Sequence, residues 1–162
     1  MQFTEEQIWQ FLSEVQDPEV PVLNILELGI VREVLIKDGD VEVVVTPTYS
    51  GCPATSMINM SIRLKLIEKG INNVKLTNRL SPAWTTDWMT AEAKEKLKAY
   101  GIAPPVYSKT NQNDLFAKPD EVPCPHCGSS HTKLISQFGS TACKALYQCE
   151  DCREPFDYFK CH

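Results

Sequence analysis

The chain has 162 residues and 43% hydrophobic residues, enough for one ordinary domain or a small domain with a smaller module attached. Its net charge is −5, and neither part is basic: residues 1–120 hold 12 Lys+Arg against 16 Asp+Glu, and residues 121–162 hold 4 against 5. No basic face is available for a nucleic acid, and no apolar run approaches the ~18 residues of a membrane helix.

The amino-terminal stretch TEEQIWQFLSEVQDPEVP opens as a helix. Thr4 with Gln7 three residues on has the capping-box spacing, and Ile8, Phe11, Leu12 and Val15 recur on one face. Asp17-Pro18 is expected to end it, because a residue before proline avoids the α region. PVLNILELG follows as a partly apolar connection. Two β-branched runs flanking Lys37-Asp38-Gly39-Asp40 predict a hairpin on an Asp-Gly turn.

A second helix is expected from Pro53 to about Lys69, capped by Gly70. Its apolar positions Ala54, Met57, Ile58, Ile62, Leu64, Leu66 and Ile67 predict a buried helix. NNVKLTNRL reads as a third strand, and SPAWTTDWMTAEAKEKLKAYG as a turn and a further helix. The expected fold class is α+β, a small α-β-β-α-β-α domain over residues 1–101. Residues 102–123 contain four prolines and read as a linker, and residues 124–162 as a separate cysteine-rich module.

In that module Cys124, Cys127, Cys149 and Cys152 form C-x2-C-x21-C-x2-C. Each pair spans a tight turn, so four thiolates can surround one ion, an arrangement suited to structural Zn²⁺ in a β zinc ribbon. Iron in the same cage is the competing ion. So short a module cannot bury enough surface to fold alone, which gives the metal an architectural role. With four cysteines completing the set, His126, His131 and His162 are only alternative ligands. Cys143 and Cys161 are either small buried residues, or else further ligands or an exposed redox pair. The tail is rich in aromatics, with Phe138, Tyr147, Phe156, Tyr158 and Phe159. More rings are present than so small a core needs, so Phe138, Phe156, Tyr158 and Phe159 are expected to contribute a partner-binding patch.

Cys52 stands alone in TPTYSGCPA. Pro53 fits the first turn of a helix, which puts Cys52 at the N-cap, where free amides and the helix dipole favour a thiolate. All three histidines lie in the tail, so no Cys–His nucleophile pair is evident in the first domain. Carboxylates are available instead: Asp17 and Glu19 in DPEVPV and Glu27 in LELGIV. Thiolate with carboxylate is a mixed donor set suited to transiently held iron. Without an export signal at the acidic amino terminus, the paired cysteines predict a cytoplasmic protein.

DPEVPVLNILELGIVR, TPTYSGCPA and the apolar helix after it resemble the SufT-like iron–sulfur assembly domain over about residues 5–100. Together with SPAWTTDW, YGIAPP and CPHCGS…SQFGSTACKALYQCEDCREPFDYFKCH, nearly the whole chain resembles the PaaD-like accessory subunits of the bacterial phenylacetyl-CoA epoxygenase. The resemblance implies a non-catalytic accessory role in aerobic phenylacetate degradation: maturation of a multicomponent oxygenase by delivery of iron or an iron–sulfur cluster. The client would be its reductase or its di-iron oxygenase component. Carried onto this sequence, the motif cysteine is Cys52 and the acidic motif is Asp17 and Glu19. A homodimer whose two Cys52 sulfurs bridge a cluster is a corollary. The alternative is an assembly subunit that tethers reductase to oxygenase, with Cys52 structural.

Overall fold

The structure is a computed structural model that describes residues 2–48, 54–105, 122–139, 141 and 144–159. The chain divides into two compact units, Met1–Ala93 and Lys94–Cys161.

The first unit opens with α1 (Glu5–Leu12), and the capping box forms as expected. The Thr4 side chain accepts from the Gln7 N–H, and the Gln7 side chain accepts from the Thr4 N–H. The helix stops at Leu12, with Ser13 as its C-cap, short of the expected Asp17-Pro18 stop. The chain there turns into an excursion closed by a bridge between Gln16 and Asn24. Val15 still reaches the core, from outside the helix.

Strands β1 (Val31–Lys37) and β2 (Asp40–Val45) form the expected hairpin. Asp38 and Gly39 take φ of 52° and 89°, the two positive values that a tight two-residue turn between twisted strands requires. Helix α2 (Ala54–Glu68) then crosses over to β3 (Val74–Asn78), which lies parallel to β2. The sheet order is β1-β2-β3. Val34, Val41, Val43 and Val74 are buried on one face; on the other, Glu42 accepts from Thr77 and pairs with Lys75. Both α1 and α2 pack against this sheet and against each other.

The buried-helix expectation for α2 needs correction. Ala54, Ile58, Ile62 and Leu66 form one buried i,i+4 row, while Met57, Leu64 and Ile67 are exposed on the opposite side. Three elements of sheet and helix leave α2 as an outer layer, so only one face meets the core.

After a one-turn 3-10 helix at Thr86–Trp88, α3 (Ala91–Tyr100) runs across the division between units. In the second unit β4 (Ile102–Ala103), β5 (Thr132–Ser136), β6 (Lys144–Cys149) and β7 (Pro155–Phe159) make a sheet of order β4-β7-β6-β5. Ile102 and Ala103, read from sequence as the start of the linker, are therefore a strand paired with β7. Most of that expected linker, residues 106–121, lies outside the described residues. Ala103, Val122, Tyr147, Phe156 and Tyr158 share the core of this unit. The Tyr147 ring stacks on Phe156 at 5.9 Å and meets Tyr158 edge-on at 5.4 Å.

Candidate functional site

The cysteine-rich module brings its four predicted ligands together. The sulfurs of Cys124, Cys127, Cys149 and Cys152 all lie within 4.8 Å of one another. Cys124 and Cys152 are 3.8 Å apart, and Cys127 and Cys149 are 3.6 Å apart. A tetrahedral ion with ligands at ~2.3 Å separates its sulfurs by roughly 3.8 Å, so the donor set fits one ion.

The two knuckles are built alike. In the first, the Gly128 N–H donates to the Cys124 carbonyl at 2.9 Å, and the His126 N–H points at the Cys124 sulfur at 3.4 Å. The residue after the second cysteine of each pair has positive φ: Gly128 at 78° and Arg153 at 63°. Only the first carries the expected glycine. Across the gap, the Ser129 hydroxyl donates to the Asp151 carboxylate, and His131 Nδ1 lies 3.1 Å from the same group. This contact ties the knuckles together and engages His131 outside the ligand set.

Four thiols this close cannot ionise independently. The N–H groups of Cys152 and Asp151 draw Cys149 down to about 7 despite its burial. The Glu154 N–H pulls Cys152 the same way, but burial and the sulfurs of Cys149, Cys127 and Cys124 outweigh it and push Cys152 up to about 12. A metal-free site therefore holds protons that a cation must displace.

Of the four aromatics expected to face a partner, Phe156, Tyr158 and Phe159 are buried. The correction follows from strand alternation and the small core: Phe156 and Tyr158 sit on one face of β7 and fill it with Tyr147. Phe138 is 68% exposed, with Leu134 and Ile135 of β5 exposed as well. Cys143, Cys161 and His162 lie outside the described residues.

In the first unit the acidic loop is two consecutive side-chain-capped turns. Asp17 is only 6% exposed, and its Oδ1 accepts the N–H groups of Glu19 and Val20, each at 2.8 Å. Asn24 Oδ1 then accepts from Leu26 and Glu27 at 3.0 and 2.8 Å, and Glu27 Oε2 accepts from the Asn24 N–H at 3.0 Å. Asn24-Ile25-Leu26-Glu27 is thus a capping box within the stretch read from sequence as a partly apolar connection. Glu19 is half-buried at the rim of the first turn.

The loop is pinned from two sides. Trp84 Nε1 donates to the Leu28 carbonyl at 2.8 Å, and the Thr90 N–H donates to the Glu27 carbonyl at 3.1 Å. At its far end the Thr46 N–H donates to the Ile30 carbonyl at 2.8 Å, joining the acidic loop to the strand end that leads toward residue 52. Trp84 and Thr46 were not singled out from sequence; Trp84 stands in a Ser-Pro-rich turn that carries no periodic signal. Cys52 and Pro53 lie outside the described residues, immediately before α2.

Comparison with known proteins adds to this geometry. Residues 5–76 match the family described as iron–sulfur cluster assembly protein, and residues 108–160 match the PaaD zinc beta ribbon domain. A protein of Escherichia coli (strain K12), named provisionally as a subunit of 1,2-phenylacetyl-CoA epoxidase, is 52% identical over 96% of this chain and 92% of its own. An Fe-S protein maturation auxiliary factor of Porphyromonas gingivalis (strain ATCC BAA-308 / W83) is 40% identical over 58% of this chain and 90% of its own. The solved DUF59 domain of Bacillus anthracis superposes with a TM-score of 0.54 at 26% identity, over 57% of this chain and 90% of its own. The chain belongs to the PaaD family of phenylacetyl-CoA epoxidase subunits, in which an iron–sulfur cluster assembly domain is joined to a zinc beta ribbon.

Proposed function

We propose that this chain is a non-catalytic accessory protein that matures the metal centres of a phenylacetyl-CoA epoxidase, handing iron or an iron–sulfur cluster to one of its components in the cytoplasm. One observation carries the reading: the chain covers 90% of a relative named as an iron–sulfur protein maturation factor, using only 58% of its own length. The remaining length is the ribbon, which the Escherichia coli epoxidase relative shares. Delivery is thus assigned to the first unit, and choice of client to the second.

In this reading Cys52 is the transfer ligand. One thiolate per chain holds a cluster weakly, which suits release. Asp17 keeps the acidic loop in shape through the two amides on its Oδ1, and Glu19 at the rim offers a hard oxygen donor. The ion in the ribbon is zinc, bound by Cys124, Cys127, Cys149 and Cys152 and confined to holding the fold.

The test is to measure iron and acid-labile sulfide in the oxygenase and reductase components purified from cells carrying Cys52→Ser. Under delivery, one component emerges iron-poor and is thereby the client. Full loading of both with normal turnover would sink the reading.

A second reading, a tether between oxygenase and reductase, is favoured by the exposed Leu134, Ile135 and Phe138. It expects Cys52→Ser to be mild and Phe138→Ala to weaken assembly while both components stay loaded.

A further inference from the structure

The helix that follows Cys52 has two apolar faces. Ala54, Ile58, Ile62 and Leu66 are buried on one. On the other, Met57 is 60% exposed, Met60 64%, Leu64 60% and Ile67 42%. These four recur at i, i+3, i+7 and i+10 and make a continuous stripe ~15 Å long. An exposed apolar strip of this extent marks an interaction surface more often than a chance of composition, and two methionines give it a contact face that adapts to its partner.

Charge narrows the occupant. Arg63 borders the stripe, is exposed, and pairs with no carboxylate among the described residues. Lys65 and Lys69, on the far side of the helix, are held by Glu14, and Lys65 by Glu68 as well. Packing the stripe antiparallel on a second copy of this chain centres the contact near Ile62, and the two-fold axis then brings Arg63 against Arg63. Four side chains also fall short of the ~800 Å² per partner that a standing dimer buries. A partner carrying a carboxylate beside an apolar face meets both demands, and a small contact suits one that must leave.

We propose that the outer face of α2 docks an amphipathic, acid-flanked helix of the client protein. The assignment rests on the delivery reading for the identity of the client. Its place follows from the sequence: the stripe begins at Met57, five residues after Cys52, so a docked client lies against the helix that follows the transfer residue along the chain.

The experiment uses the full chain, with the purified reductase and oxygenase components as probes. Leu64→Glu and Arg63→Glu are compared with Gln10→Glu, an exposed control on α1. Circular dichroism should be unchanged in all three. The expected result is that Leu64→Glu and Arg63→Glu each weaken binding of one component at least tenfold and leave it iron-poor in cells, while Gln10→Glu does neither. Unchanged binding by Leu64→Glu, or no binding of either component by the unsubstituted chain at micromolar concentration, overturns the proposal. So does a native dimer that Leu64→Glu converts to monomer, because a second copy then covers the stripe. If Cys52→Ser leaves both components loaded while Leu64→Glu still abolishes binding, docking stands and delivery fails. If Cys52→Ser depletes iron while Leu64→Glu changes nothing, the reverse holds.

Discussion

Gly29 and Gly39 have similar backbones, with φ of 71° and 89°, and very different surroundings. A Cβ on Gly39 meets nothing within 4 Å, whereas one on Gly29 would lie 2.6 Å from the Trp88 carbonyl oxygen and 2.7 Å from the Trp88 Cβ. Gly39→Ala should therefore cost only the left-handed strain of about 1–2 kcal/mol. Gly29→Ala adds a collision with backbone that cannot swing aside, for a total of about 2–4 kcal/mol. Urea unfolding of the two variants checks the order, and equal losses would mean the Trp88 segment yields freely. Asp17 can be dissected the same way. Asp17→Ala strands two N–H groups on the buried side of the loop and should cost about 2–4 kcal/mol, whereas Asp17→Asn keeps an oxygen for them and should cost under about 1 kcal/mol. If Asp17→Asn is folded yet its client is iron-poor, the carboxylate itself serves delivery; normal loading would confine Asp17 to shaping the loop.

At the scale of elements, α2 shows what periodicity conveys and what it omits. Seven of its apolar positions were visible, and so was its capping glycine, Gly70 at φ 96°. Which of those positions were buried was not visible, because apolar residues stand on both faces and spacing alone does not say which face meets a sheet. Ile62→Ala should thus cost about 2–5 kcal/mol, whereas Met60→Ala should stay within about 0.5 kcal/mol, as thermal unfolding would show. Comparable losses would refute the outward orientation of the stripe. The hairpin turn was legible, since Asp38-Gly39 fixes the register that pairs Lys37 with Asp40, but the register shift between Val31 and Glu33 was not. The four-cysteine cluster was legible because two C-x2-C pairs, each on a tight turn, can set four sulfurs around one ion. The ribbon aromatics were not: Phe156 and Tyr158 alternate inward along β7, a fact set by which face of that strand meets Tyr147. The acidic loop was half legible, its carboxylates plain in the sequence but their work as turn caps hidden until Asn24 and Glu27 were seen bonding each other.

The whole molecule joins two stabilities of different origin. Residues Met1–Ala93 hold a three-stranded sheet under two helices, with a core of Ile8, Leu12, Val43, Ile62 and other aliphatics, and no part of the four-cysteine site. Residues Lys94–Cys161 hold a smaller core that includes two of the ligands themselves, Cys124 and Cys149. Removing the ion there does more than empty a site. It leaves two buried sulfurs without their partner and releases the two knuckles that join β6 to the segment before β5. Chelation of the metal from the purified chain should therefore erase one unfolding transition and spare the other, because binding free energy in such a site is folding free energy. Calorimetry with and without chelator reads this directly, and Cys124→Ser should reproduce the chelated trace. Near-ultraviolet dichroism separates the units: the Tyr147, Phe156 and Tyr158 signal should collapse, while the tryptophan signal of Trp84, buried in the first unit with its indole N–H on Leu28, should persist. A single transition lost as a whole on chelation would mean that the first unit depends on the ribbon for its own stability.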